Sequence, residues 1–288
     1  MDEVVKGLIK DEHVLVVATV CTETVEYARK IHDTWPTATA ALGRVIAGTI
    51  LLASTLKDRQ KIMLQVKGDG PLQEIVAEAD WLYKVRAYVK RPHIFMGLKG
   101  EKIDVGRAVG KGFLNVIRDL GLREFYQSSV ELQTGEIATD IAYYLNVSEQ
   151  IPSAVSLGVY VENDNSVKAA GGFMIQTMPE TKLEIIDFLE RKLSNVQSVS
   201  SMILEGIDPL KMLEKAVGLP IEVLHRKESV YSCSCSKERV TKAIVTLGKD
   251  EINKMIEEGK TIDIECYFCK KKYIVTIDEL RNLLKEML

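Results

Sequence analysis

Cysteine placement along the chain is uneven, and it is where the sequence offers most chemistry. Cys21 stands alone, whereas Cys233, Cys235, Cys266 and Cys269 share the last 57 or so of 288 residues. They read Cys-Ser-Cys, a gap of 30 residues, then Cys-Tyr-Phe-Cys. Four soft donors are what a tetrahedral zinc ion takes, and a CxxC at a hairpin turn can aim both sulfurs at one metal. The competing chemistry is a thioredoxin-like dithiol. That motif needs its CxxC at a helix N-terminus beside a βαβ unit, and this one lies between two strand patterns.

A tail of this size with few large apolar side chains makes a weak core. Structural zinc contributes on the order of 10–16 kcal/mol in small peptides, so losing the metal is expected to unfold the tail. The thiolates are therefore a candidate switch. Lys270, Lys271 and Lys272 directly follow Cys269 and are expected to lower the pKa of nearby thiols. Sulfurs joined in a disulfide are poor zinc ligands, so each new bond removes two. A CxC pair can just close: Cα atoms two residues apart are separated by roughly 5.5–7 Å, against a usual disulfide range of about 4.4–6.8 Å. Its small ring should be strained, as labile regulatory disulfides are.

Other candidate motifs carry less. His13, His32, His93 and His225 lack the spacing of a metal cluster, and four thiolates leave His225 no vacant position. The stretch Gly106–Gly112 resembles a phosphate loop but is one residue short, and Gly112 replaces the Ser or Thr that would hold magnesium. Gly171-Gly172, inside a strand pattern, marks a bulge or a close backbone approach. Cys21 follows an apolar strand and reads as a buried core thiol. No Ser/His/Asp order or paired-carboxylate arrangement stands out, in keeping with a non-enzyme.

The rest of the chain must position the thiols. It is 46% hydrophobic and 27% charged with a net charge of −3, ample for a real core. That balance argues against a nucleic-acid coat or a polybasic membrane binder. The start MDEVVKGLIKDEHVLVVATV lacks a signal-peptide layout, and no later run approaches 18 uninterrupted apolar residues, so a cytoplasmic protein is expected.

Residues 1–178 mix strands and helices, which implies an α+β fold with antiparallel sheets. Strands are expected at Val14–Val20, Ile62–Val66, Leu72–Ala77, Val85–Val89, Ile103–Val105, Phe113–Ile117 and Ser129–Gln133. A hairpin joins Val155–Val161 to Val167–Gln176. Thr22 is expected to cap a helix through Ile31, and Trp35-Pro36 to open an almost wholly apolar central helix. Glu136–Tyr144 is a further helix.

From 179 to 230 the chain reads as a helical linker. Leu183, Ile186, Leu189 and Leu193 form one apolar stripe, Ser194–Ser201 is soft and polar, and Asp208-Pro209 starts another helix that Gly218 ends. Residues 231–288 form the small tail. In it Ser236 caps a helix, a second helix spans about Asp250–Gly259, two short strands bracket the CxxC, and Thr276 with Glu279 forms a capping box.

At this point a resemblance enters. CSCSKERV, ECYFC and KKKYIV look like the zinc-thiol tail of the 33-kDa chaperonins, the redox-regulated heat-shock holdase family. HDTWPTATAALGR, GDGPLQEIVAEAD, VGKGFLNVIRDLG, TGEIATDIAYYLNVSEQIPSAV and GGFMIQTMP resemble segments of that family in order. Ala87, where the family usually has Gly, and Tyr126–Ser129 depart from its pattern.

The resemblance implies a chaperone that is inactive while Cys233, Cys235, Cys266 and Cys269 bind one Zn2+. Oxidation to Cys233–Cys235 and Cys266–Cys269 disulfides would turn it on. It would then hold unfolded or oxidatively damaged clients without ATP and form a homodimer, with no nucleic-acid or membrane partner. On this reading residues 1–178 carry client binding and dimerisation, 179–230 the linker and 231–288 the switch. A thiol-disulfide oxidoreductase using the CxxC and a zinc-ribbon nucleic-acid module are the alternatives.

Overall fold

β1 (Glu3–Ile9) and β2 (Val14–Val20) pair antiparallel. The unbroken apolar run of β2 reflects burial on both faces. Val17 enters one core, while Val14, Val16 and Ala18 enter another. Helix α1 (Thr22–His32) follows. Its cap differs from the expected Thr22, which lies inside the helix and instead accepts the Ala170 N–H at 3.1 Å. The carboxylate of Asp2, brought over from the chain start, accepts the N–H groups of Glu23 (3.0 Å) and Thr24 (2.6 Å). This carboxylate does the work of an N-cap from outside the helix.

Pro36 opens α2 (Pro36–Ala53), whose length and apolarity would suffice to cross a membrane. Here the helix is almost wholly buried, packed against strands of both large sheets. The chain continues as β3 (Lys61–Gly68), β4 (Glu74–Asp80), β5 (Lys84–Val89), β6 (Leu98–Lys99) and β7 (Lys102–Ile103). Val105, read as the end of a strand, instead begins α3 (Val105–Val109), capped by Asp104 accepting from Arg107 N–H at 3.2 Å. Then come β8 (Gly112–Asp119), β9 (Tyr126–Glu131), α4 (Ala138–Val147), β10 (Ser153–Val161) and β11 (Val167–Thr177).

The segment expected to be a helical linker contains α5 (Leu183–Leu193), α6 (Val199–Leu204) and α7 (Pro209–Val217). Asp208 and Gly218 bound α7 as expected, with Asp208 accepting from Leu210 and Lys211 N–H and Gly218 left-handed. Two differences stand out. The polar stretch holds the start of α6, with Ser198 as its cap. Residues 221–228 are a strand, β12 (Ile221–Glu228), antiparallel to β1, followed by β13 (Val230–Tyr231).

Two large sheets result, β10-β11-β2-β1-β12 and β13-β5-β4-β3-β8-β9, and β6 and β7 pair as a separate two-stranded ladder. One face of the first carries the core shared with α2, and the other receives Leu189, Val199, Met202, Met212 and Leu213 from α5 to α7.

Beyond this lie α8 (Lys237–Val245), α9 (Lys249–Glu257), β14 (Ile262–Glu265), β15 (Lys272–Val275) and α10 (Ile277–Glu286). The structure is a computed structural model that describes every residue except 101, 260, 287 and 288. It is α+β and separates into two compact units, Met1–Ser232 and Cys233–Leu288. The core of the second unit centres on Ile244, Ile252, Val275 and Leu280.

Candidate metal centre

β14 and β15 form a two-stranded antiparallel hairpin whose last pair is Glu265↔Lys272. Cys266 and Cys269 sit on the connecting turn, closed by Cys266 N–H to Lys271 C=O (2.9 Å) and Lys270 N–H to Cys266 C=O (2.8 Å). Lys270 takes the left-handed backbone region at φ 59°, which lets the turn fold back so tightly.

Cys233 and Cys235 precede α8. Ser236 caps that helix through Arg239 N–H, and the Arg239 guanidinium returns to the Ser234 carbonyl (3.1 Å) and hydroxyl (2.7 Å). Helix start and arginine together hold the CxC segment in place.

The four sulfurs lie within 4.8 Å of one another, each half-buried. Two contacts cross between the pairs: Cys233 to Cys266 at 3.8 Å and Cys235 to Cys269 at 3.3 Å. Sulfurs around a tetrahedral zinc with bonds of about 2.3 Å stand about 3.8 Å apart, so the donor set and its size fit that ion. Four close cysteines of this kind can hold a metal.

Tyr273, on β15, donates its hydroxyl to Cys235 Sγ at 3.0 Å, a contact the sequence reading did not single out. Burial works against ionising Cys235, but hydrogen bonds from Tyr273, Cys269, Cys233 and Cys266 outweigh it and bring that thiol down to about 7. Cys269 moves the other way. Burial raises it, the Lys271 N–H opposes, and its bonding to Cys235 raises it further. Two of the three lysines expected to lower these thiols have other partners. Lys270 pairs with Glu265 at 3.0 Å, and Lys271 sits over the Tyr273 ring.

The remaining candidates fall outside this cluster. His225 belongs to β12, with Nε2 2.7 Å from the Tyr83 hydroxyl. Cys21 is fully buried, and burial, then the nearby Asp2, raises its thiol pKa well above the usual range. The Gly106–Gly112 stretch is a packing device, since a Cβ on Gly112 would stand 2.0 Å from the Lys67 carbonyl. Gly171 and Gly172 mark a close approach to Thr19 and Leu157, and the irregularity in that ladder falls at Tyr160/Val161 instead.

The model of the family described as "Hsp33 protein" matches residues 2–276. The chain belongs to the Hsp33 family. A 33 kDa chaperonin of Thermodesulfovibrio yellowstonii is 81% identical over 287 residues, covering 100% of both chains. The 33 kDa chaperonin of Bacillus subtilis is 44% identical across 98% of each chain. Among solved structures, the crystal structure of the 33 kDa chaperonin from Thermotoga maritima superposes with a TM-score of 0.91 at 36% identity, covering 99% of this chain and 98% of that one. Membership of the Hsp33 family makes this chain a chaperonin relative, and its α+β architecture with a C-terminal cysteine cluster agrees with that placement.

Proposed function

We propose that this chain is a redox-regulated, ATP-independent holdase, silent while its four C-terminal thiols are reduced and bound to zinc. The observation that carries the reading is the convergence of Cys233, Cys235, Cys266 and Cys269 in a unit whose own apolar core is small. Zn2+, when bound, would tie the CxC and CxxC segments together and supply folding free energy that this core lacks.

Oxidation undoes that arrangement. Peroxide takes two electrons from each pair of zinc-bound thiolates and two protons from solvent, leaving Cys233–Cys235 and Cys266–Cys269 disulfides and two waters per peroxide consumed. Sulfurs bonded to each other no longer serve as ligands, so the centre loses its donors two at a time. Cys233 meets Cys266 and Cys235 meets Cys269 across the pairs, whereas these disulfides run within them. Oxidation therefore leaves bonds that no longer join the CxC segment to the CxxC turn.

On this reading residues 1–178 bind clients and dimerise, 179–230 transmit the change and 231–288 sense it. Unfolded or oxidatively damaged proteins of the cytoplasm are the partners. An oxidoreductase would place the CxxC at a helix N-terminus, and here it lies between β14 and β15.

The decisive experiment measures zinc content and light-scattering protection of a thermally unfolding protein on one sample, before and after peroxide. Stoichiometric protection that appears as zinc is released is expected. Protection that is equal in both states, or catalytic disulfide turnover instead of protection, overturns the reading.

A further inference from the structure

The last residues before Cys233 lie as a short strand on the edge of the second sheet. β13 pairs parallel with β5, Val230 with Lys84 and Tyr231 with Val85. Two rungs are Val230 N–H to Tyr83 C=O (3.3 Å) and Ser232 N–H to Val85 C=O (2.8 Å). In a regular parallel ladder the next rungs would join Ala87 N–H to the Ser232 carbonyl and Ala87 C=O to the N–H of residue 234.

The backbone does not make them. The Tyr231 hydroxyl takes both roles, accepting from Ala87 N–H at 3.2 Å and donating to Ala87 C=O at 2.9 Å. Its ring lies 5.0 Å from that of Tyr27 on α1, and His32 Nε2 is 2.8 Å from the same Ala87 carbonyl. One side chain thus stands in for two residues of strand.

We propose that the β5 edge from Tyr83 to Ala87 is a docking site for the extended backbone of an unfolded client, latched shut in the reduced protein by β13 and the Tyr231 hydroxyl. This rests on the holdase reading and names where a client would bind. Residues 229–232 already show what the site accepts: an extended backbone with an aromatic ring set beside Tyr27 and His32. Recognition through main-chain groups is blind to sequence, as a binder of many different unfolded chains requires.

The latch is weakly made, two residues long, with Val230 exposed. β12, by contrast, pairs with β1 at seven of its eight residues. Only Ser232 separates β13 from the unit that begins at Cys233, and so short a strand at a sheet edge frays readily once the chain beyond it is unfolded.

The test is amide hydrogen exchange, resolved by residue, on the full-length protein. It compares the reduced zinc-loaded form, the peroxide-treated form, and the latter with reduced, carboxymethylated lactalbumin as a permanently unfolded client. The amides of Ala87, Val230 and Ser232 should exchange slowly in the first and fast in the second. In the third, Ala87 should slow again while Val230 and Ser232 stay fast. In the reduced form, Tyr231→Phe should speed Ala87 exchange roughly three- to tenfold, the loss expected for a neutral hydrogen bond.

Ala87 protection unchanged by oxidation overturns the latch. Ala87 left exposed in a client complex that size-exclusion chromatography detects overturns the docking site while the holdase reading stands. Absence of any client complex overturns both.

Discussion

Tyr273 is the side chain outside the cysteines that bears most directly on the sulfur cluster, through its hydroxyl on Cys235. Groups that hydrogen-bond a metal ligand typically change metal affinity 10- to 100-fold when removed. Tyr273→Phe should therefore weaken zinc binding by about that factor in a chelator competition, and an unchanged affinity would remove Tyr273 from the centre. Cys21→Ser should leave peroxide activation intact, because Cys21 is buried in the first unit, while placing a hydroxyl among apolar groups at a cost of about 1–3 kcal/mol. Loss of activation in that variant would make the four-cysteine account incomplete.

Glu26 gives a pH test at the same scale. Its bonds to Arg29, against the effect of burial and helped by Val167 N–H, hold the carboxyl at about 2. A depressed carboxyl stabilises the fold above its unfolded pKa and loses that contribution as pH falls through the folded value. Glu26→Gln should cost about 1 kcal/mol in chemical denaturation at pH 7, a deficit that shrinks below about pH 4.5 and closes near 2. A deficit that does not vary with pH would mean that packing, not charge, sets its size.

At the scale of elements, β11 lies so close to β2 that a Cβ on Gly171 would stand 2.3 Å from the Thr19 carbonyl. Gly171→Ala should cost about 1–3 kcal/mol, since backbone would have to move to admit it. Wild-type stability would show that the two strands can separate freely. Elements governed by local chemistry were legible in the sequence: α2 from Pro36 and its apolar run, α7 from Asp208 and Gly218, the β14–β15 hairpin around the CxxC, and the Thr276–Glu279 box, whose bonds are present.

What was illegible depends on distant partners. β12 is an edge strand with mostly exposed side chains, so Ile221–Glu228 carries little alternation, and only β1 makes it a strand. Asp2 caps α1 from some twenty residues away. Tyr273 looked like one more strand residue, because only the folded hairpin turns its hydroxyl toward Cys235. The cysteines themselves were plain from spacing. Their crossed contacts were not, since spacing shows which pairs are near in sequence and nothing of how the pairs meet.

For the whole molecule, the contrast between its two units predicts selective loss of structure. Unit Met1–Ser232 has two extensive apolar cores, and unit Cys233–Leu288 has one small one. Removing metal from the reduced protein with a strong chelator should strip hydrogen-exchange protection from residues 233–286 and leave β2, α2 and β11 as protected as before. Continued protection of α8 to α10 without metal would show that the small core suffices, and would remove the energetic basis of the switch.

The position of β1 in its sheet has a consequence for biosynthesis. β1 lies between β2 and β12, so this strand, made long before β12, cannot be covered on its second edge until Ile221–Glu228 has been made. At typical elongation rates that wait is on the order of 10–40 s. Throughout it the growing chain carries an open β-edge next to some of its most apolar residues, Val14 to Ala18. A protein of chaperone kinship is thus itself exposed to misassociation during its own synthesis, and the hazard lasts until β12 has emerged and paired with β1.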